Sequence, residues 1–368
     1  MTPAPPRPRS VWLTRAWKVL LLLWGVYSVL GFVRGLPAVQ KWWAQHSGLP
    51  VYSSLGDAIF RPYEGLEVAS RSPDGRWVVG GGVQGVGKGF TFRLVLWDAA
   101  TMERRWAVTR PTTDFRSVNA LAWSPDSRNV WAHDTEGKVT VLNAGTGRVL
   151  REFQADTFQP CVFAATPGGL LLTEKADRSA TPELTLRRWE DGAVRWRVPL
   201  PCWDAAEGRV DAAGHTLAYS PRMGEVALFD LRRRARFGPA FPLVQDYGPY
   251  AIALTPDGSR VAAGGGEGSV VVWNAASGKE DWRGHPHREL VRALAWNADG
   301  TALASSGFGG CGGWRSECVV VTDSATGGPQ SRVVWWRRFH SAGSVEWVGR
   351  NRLLLTIGER AFMVRTSR

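Results

Sequence analysis

The sequence predicts an all-β fold, a seven-bladed antiparallel β-propeller preceded by one N-terminal transmembrane helix. Three observations carry that expectation: a unit that recurs along the chain, a tight turn at one place within it, and an unbroken apolar run near the N-terminus. The unit is an apolar strand, a turn, a small-residue strand, then an aliphatic strand ending in Trp-Asp or a substitute. These third-strand ends are Trp97-Asp98, Leu142-Asn143, Trp189-Glu190, Phe229-Asp230, Trp273-Asn274, Thr322-Asp323 and Val364-Arg365, spaced by 45, 47, 40, 44, 49 and 42 residues. Repeats of about 40–45 residues with four strands each are the pattern of propeller blades.

Taken in order, residues 1–15 read as a disordered cytoplasmic N-terminus, 16–35 as a signal-anchor helix, 36–53 as a linker and 54–368 as the propeller. Val19–Val33 is apolar throughout and bounded by Lys18 and Arg34. As helix it is about 22 Å long, short of the ~30 Å hydrocarbon core, but both cations can reach outward and the flanking Trp12, Trp42 and Trp43 suit the interfaces. A cleaved signal peptide is the rival reading. It wants small residues at −1 and −3, whereas Ala38 has Leu36 at −3 and Ala44 has Trp42. Arg7, Arg9, Arg15 and Lys18 precede the run against Arg34 and Lys41 after it. That asymmetry places the N-terminus in the cytoplasm and the propeller on the periplasmic, extracytoplasmic side of the inner (plasma) membrane.

The net charge of +12 suggests nucleic acid until it is located. Residues 1–48 carry six cations and no carboxylate, which leaves +6 on the propeller. Half of the excess is thus topology signalling, and no nucleic-acid partner is expected.

Within the repeats, the first turn is Ser72-Pro73-Asp74-Gly75, Ser124-Pro125-Asp126-Ser127, Thr166-Pro167-Gly168-Gly169, Asp211-Ala212-Ala213-Gly214, Thr255-Pro256-Asp257-Gly258 and Asn297-Ala298-Asp299-Gly300. Proline presets φ, Asp bonds the backbone just ahead, and Gly takes the left-handed position. A second turn follows the third strand, as in Asn143-Ala144-Gly145-Thr146-Gly147 and Asp323-Ser324-Ala325-Thr326-Gly327. These residues resemble the WD-repeat β-propellers, of the bacterial membrane-anchored type, over roughly residues 54–368. The resemblance makes Trp97, Asp98, Trp189, Asp230, Trp273 and Asp323 structural blade residues. It also implies a Gly-His before the first strand and an Asp before the third. Here the only Gly-His is Gly284-His285, and Glu136 and Glu267 replace the Asp. The family's buried polar network is therefore expected to be mostly absent, with apolar packing in its place. Ser54–Arg61 reads either as the outer strand of the last blade, closing the ring, or as linker.

Motifs for chemistry are few. Gly82–Gly89 nearly spells a phosphate-binding loop, but Gly89 replaces the needed Ser or Thr and a strand follows where a helix is required. It reads as a hairpin tip, and no cofactor or metal is expected. Cys311 and Cys318 close a hairpin insert and read as a disulfide ahead of free thiols or metal; Cys161 and Cys202 are either a second bridge or buried thiols. Arg232, Arg233, Arg234 and Arg236 form a basic cluster on an outer strand, either a solvated rim or a patch for an acidic partner or the membrane surface.

The resemblance implies a monomeric, membrane-tethered scaffold without catalytic activity that binds a protein or peptide. Two alternatives stand beside it. Asp98–Trp106 resembles the Asp-x-x-Thr-Gly-x-x-x-Trp signature of quinone-dependent dehydrogenase propellers, with Met102 in place of Gly. An envelope assembly factor is the other, although such proteins carry a lipidated Cys near the N-terminus and the first Cys here is Cys161.

Overall fold

Alternating apolar segments and proline-glycine turns fold, in a computed structural model, into consecutive antiparallel sheets, each built from neighbouring strands. The structure describes residues 67–86, 89–101, 103–112, 117–155, 157, 159–175, 181–203, 208–243, 248–308, 317–335, 342–349, 352–357 and 361–366.

The first blade is β1 Val68–Arg71, β2 Trp77–Val86, β3 Gly89–Asp98 and β4 Arg104–Thr112. The second is β5 Val118–Trp123, β6 Asn129–Asp134, β7 Lys138–Asn143 and β8 Val149–Gln154. The third is β9 Phe163–Thr166, β10 Gly169–Glu174, β11 Glu183–Arg187 and β12 Val194–Pro199. The fourth is β13 Arg209–Val210, β14 Thr216–Arg222, β15 Glu225–Asp230 and β16 Ala235–Pro242. The fifth is β17 Ala251–Leu254, β18 Arg260–Gly264, β19 Val270–Asn274 and β20 Glu280–Gly284. The sixth is β21 Val291–Trp296, β22 Ala302–Gly307, β23 Glu317–Asp323 and β24 Pro329–Trp335. A last sheet holds three strands, β25 Ala342–Trp347, β26 Arg352–Ile357 and β27 Ala361–Arg365.

The expectation of seven blades behind a transmembrane helix is corrected here. Six four-stranded blades are present, not seven, and the final sheet has only three strands among the described residues. Ser54–Arg61, the segment expected to supply its fourth strand, lies outside the described residues, as does the expected membrane helix over 16–35. Among the described residues there is no helix, and none long and apolar enough to cross a membrane. Gly82–Gly89 forms the distal end of the β2–β3 hairpin, as expected, with the two strands paired as far as Val86↔Gly89.

Strand order alone sorts the connections onto two faces. Turns from first to second and from third to fourth strand lie on one side, the turn face; the remaining connections lie on the other, the loop face. On the turn face the chemistry repeats. Oδ1 of Asp98, Asn143, Asp230, Asn274 and Asp323 accepts backbone N–H groups two or three residues ahead, at 2.8–3.1 Å. Those N–H donors hold the Asp98, Asp230 and Asp323 carboxyls below their ordinary value. Gly75, Gly214, Gly258 and Gly300 take φ of 69–73° in the first turn, and Ser127 takes the same region with φ 58°.

Each apolar cluster belongs to two sheets rather than one. Val79 and Leu94 pack with Val130 and Leu142 across the first and second blades. Trp131 and Trp189 meet edge to face at 5.5 Å across the second and third. Leu228 and Phe241 enclose Trp273 across the fourth and fifth. The last sheet meets the first blade in the same manner, Val348 and Leu354 packing with Val78, Val95 and Trp97. Arg71 N–H donates to Glu346 at 3.2 Å, and Thr356 Oγ1 to the Glu67 carbonyl at 3.2 Å, across that junction. The strands therefore form a closed ring.

A second device binds blade to blade at the rim. An outer-strand side chain reaches over the following blade's turn: Trp106 covers Gly147, Pro239 covers Gly278 and Trp282 covers Gly327. Trp106 Nε1 donates to the Ala144 carbonyl at 2.7 Å and Trp282 Nε1 to that of Ser324 at 2.9 Å. Arg151 donates to the Glu190 carbonyl, and Arg234 sits 5.3 Å over the Trp196 ring. A Cβ at Gly327 would fall 2.7 Å from the Trp282 ring.

Two substitutions test these contacts. Trp273→Ala, at 2% exposure, should lower stability by roughly 3–5 kcal/mol as a large-to-small core change, read from urea midpoints. Gly327→Ala should cost roughly 1–3 kcal/mol more than Gly349→Ala, since overpacking adds to backbone strain. Gly349 shares the positive φ (75°) but has nothing within 4 Å. Equal losses would assign the whole effect to the backbone.

Candidate interaction site in the central channel

The innermost strands of the sheets line a central channel. It opens to about 480 Å³ towards the loop face and about 640 Å³ towards the turn face, and the two volumes share Val68, Asn119, Arg209, Leu294, Ser344 and Val345. Small residues dominate these strands because seven of them converge there. Ala251–Leu254 is AIAL and Phe163–Thr166 is FAAT.

Charges at such positions stand out against that background. The second and sixth blades begin with nearly the same hexapeptide, Val118–Trp123 (VNALAW) and Val291–Trp296 (VRALAW). Asn119 and Arg292 occupy matching positions in them, and both line the loop-face half of the channel. In β25 (AGSVEW), Glu346 takes the place of the alanine that precedes the terminal Trp in those two strands. Its carboxyl lines the turn-face half and accepts the Arg71 N–H. Burial pushes it up to about 7, against the Arg71 backbone donor and the charges of Arg71 and Arg209. Arg71 itself is turned away, donating through Nε and Nη2 to the Gly75 carbonyl at 3.0 and 2.7 Å.

The loop-face half carries Arg209 and Arg292 on either side of the fifth blade, whose Tyr250 stands at the channel lining between them. Gln159 joins from the approach to the third blade, and among the described residues Glu67 is the carboxylate lining this half. Such an arrangement can bind and orient a polar chain segment. Among the described residues no group of three His, Cys, Asp or Glu is placed to hold a metal ion.

The residues singled out from the sequence lie elsewhere. Trp97, Trp189 and Trp273 are buried between sheets, and Asp98, Asp230 and Asp323 organise turns. Arg232, Arg233, Arg234 and Arg236 lie at the outer rim of the fourth blade and are partly engaged. Asp230 Oδ1 takes the Arg232 and Arg233 N–H groups, the Arg232 guanidinium contacts His215 Nε2, and Arg236 pairs with Glu225. Trp106, the last residue of the dehydrogenase-like signature, docks onto the second blade through its indole N–H.

Cysteine placement was the least legible feature. Cys161 and Cys202 form a disulfide, joining the approaches to the third and fourth blades. Cys318 is also disulfide-bonded, while Cys311 lies outside the described residues. The expected loss of the buried polar network is only partly right. His287, not His285, is buried, with Nε2 3.0 Å from Ser305 Oγ, and His133 Nδ1 lies 2.7 Å from Asn119 Oδ1. Burial lowers both imidazoles to about 4, so they stay neutral.

Comparison with known proteins agrees with this architecture. Residues 245–274, which include β17–β19, match the family model described as WD domain, G-beta repeat. Proteins named telomerase protein component 1 are similar in sequence: that of Mus musculus is 26% identical over 230 residues, and that of Rattus norvegicus 23% over 226. Each match covers 60% of this chain but 8% of the relative, so the chain spans less than a tenth of their length. The Cps50 (Swd1) β-propeller domain of Myceliophteria thermophila aligns with a TM-score of 0.63 at 15% identity, covering 82% of this chain and 97% of that one. The chain thus carries a WD repeat within a β-propeller. None of these three is named as a bacterial or membrane-anchored protein.

The half-buried Glu346 carboxyl, raised on folding, makes stability depend on pH. A carboxyl raised on folding favours the protonated folded state, so its contribution is fully present below about 4.5 and is lost as pH climbs through about 7. Glu346→Gln should remove that slope and be more stable than the parent at about pH 8. Urea midpoints at about pH 5 and about pH 8 check this, and an unchanged slope in the variant would place the titration elsewhere.

Proposed function

We propose that this chain is a protein-interaction platform whose partner docks on the loop face over the channel mouth. One observation carries the reading. Polar and charged side chains from several blades, Arg209, Tyr250, Arg292 and Gln159 among them, line one open cavity at the loop-face end of the innermost strands. A ring locked by interfaces shared between sheets holds those groups in fixed geometry, which suits recognition and requires no chemistry. The WD repeat and propeller fold are consistent with protein binding. The matched relatives lend nothing beyond that, since the shared stretch is 8% of their length.

On the same reading the propeller works on the extracytoplasmic side, in an oxidising compartment, with Cys311 and Cys318 as a second bridge. Support comes from the Cys161–Cys202 disulfide, because structural disulfides persist in oxidising compartments and are rare in reducing ones.

Two experiments test the proposal. A photo-crosslinking amino acid at Gln159, on the channel mouth, should capture a protein partner in native extracts, while one at Ser277 on the turn face should not. Equal capture at both sites, or none at Gln159, would contradict the platform reading. For the compartment, Cys161 and Cys202 in intact cells should resist alkylation until reductant is added. Cys161→Ser should lower stability by about 4 kcal/mol on the chain-entropy account of a closed loop this long.

A further inference from the structure

Three buried groups stand in a row in the sixth blade. Cys318, near the start of β23, is disulfide-bonded and wholly buried. Its Sγ lies 3.6 Å from Nδ1 of His287, which is itself 3% exposed. Across the ring, Nε2 lies 3.0 Å from Ser305 Oγ, and that hydroxyl lies 3.3 Å from the Val320 carbonyl.

Donors and acceptors along the row fix the imidazole tautomer. A carbonyl only accepts, so the Ser305 hydroxyl donates its proton to Val320. Its oxygen then accepts from Nε2–H, and the neutral ring carries its lone pair on Nδ1, facing Cys318. The ring is neutral because burial, with the charge of Arg332 added, lowers it to about 4. A disulfide sulfur has no proton to offer that lone pair, whereas a thiol has one. Reduction therefore completes a relay: Cys318 S–H to Nδ1, Nε2–H to Ser305 Oγ, and O–H to the Val320 carbonyl. In the oxidised chain the first of these bonds is unmade, and a buried acceptor without its donor disfavours that state. The other bridge differs. Cys161 and Cys202 pack in an apolar cluster with Val162, Leu171, Leu184 and Leu217, and neither sulfur faces an imidazole among the described residues.

We infer that the Cys318 bridge is a redox site that a dithiol opens in preference to Cys161–Cys202, with His287 placed to accept the proton of the freed thiol. The chemistry is thiol–disulfide exchange. A thiolate of the dithiol attacks the sulfur bonded to Cys318, the S–S bond breaks, and Cys318 leaves as a thiolate that takes up a proton and shares it with Nδ1. The second thiol of the reductant then attacks the mixed disulfide and releases the partner cysteine. The bridge gains two electrons, and the dithiol becomes its own cyclic disulfide. His287 touches no reductant in this scheme and is a positioning residue. The site involves neither the channel nor its partner, so it stands independently of the platform reading.

The test equilibrates the full-length chain in buffers of reduced and oxidised dithiothreitol, alkylates it and reads each cysteine by mass spectrometry. Cys318 should be half-reduced at a reduced-to-oxidised ratio about tenfold lower than Cys161 and Cys202. His287→Phe should raise the Cys318 midpoint about tenfold and leave the Cys161 midpoint in place, which distinguishes a lost acceptor from general destabilisation. Ser305→Ala, which releases the ring to take the other tautomer, should shift Cys318 the same way by less. Nitrogen NMR of the oxidised parent chain should show His287 protonated at Nε2 and bare at Nδ1. Reduction of Cys161–Cys202 first, or of both bridges together, would overturn the inference. So would an unchanged Cys318 midpoint in His287→Phe, or an easier reduction there, the outcome expected if Nδ1–H donates to the bridge. A protonated Nδ1 in the parent spectrum would overturn it even if His287→Phe fails to fold.

Discussion

Everything in this fold depends on the apolar contact between consecutive sheets. No blade owns a core: Val79 and Leu94 need Val130, Trp189 needs Trp131, and Trp97 needs Leu354 from the far end of the chain. A sheet taken alone would expose both faces, so the stable unit is the ring. The rim contacts add direction. Trp106 and Trp282 reach forward onto the next turn, where only Gly leaves room for an indole and accepts the left-handed backbone. Function inherits this rigidity, because the channel wall is made of the strands that these interfaces hold.

How much of this could be read in advance varied with the range of the interaction. Turns were legible because their chemistry is local: Asp323 and Asn274 bond backbone groups two or three residues away, and that spacing is written in the chain. Middle strands were legible because burial on both faces demands continuous apolar runs such as Leu170–Leu172. In the last sheet β26 and β27 fall where the repeat put them, whereas a fourth strand depends on pairing between distant segments, which no local pattern encodes. The Cys161–Cys202 bridge spans 41 residues. Its one sequence signal is that both cysteines approach the first strand of successive repeats.

The channel was missed for a different reason. Arg292 and Glu346 look like ordinary surface charges until the repeats are aligned, when they fall on positions held elsewhere by Asn119 and by alanine. Contiguous basic runs such as Arg232–Arg236 draw attention, yet several of those side chains are tied down by Asp230, His215 and Glu225.

Native-state hydrogen exchange of the full-length chain tests the dependence on shared interfaces most directly. The account predicts that the most protected amides of β2 and β3 in the first blade and of β26 in the last sheet exchange at one common free energy, because Val78, Val95 and Leu354 belong to a single cluster. Loss of protection in β26 well before β2 and β3, with each blade opening on its own, would contradict it.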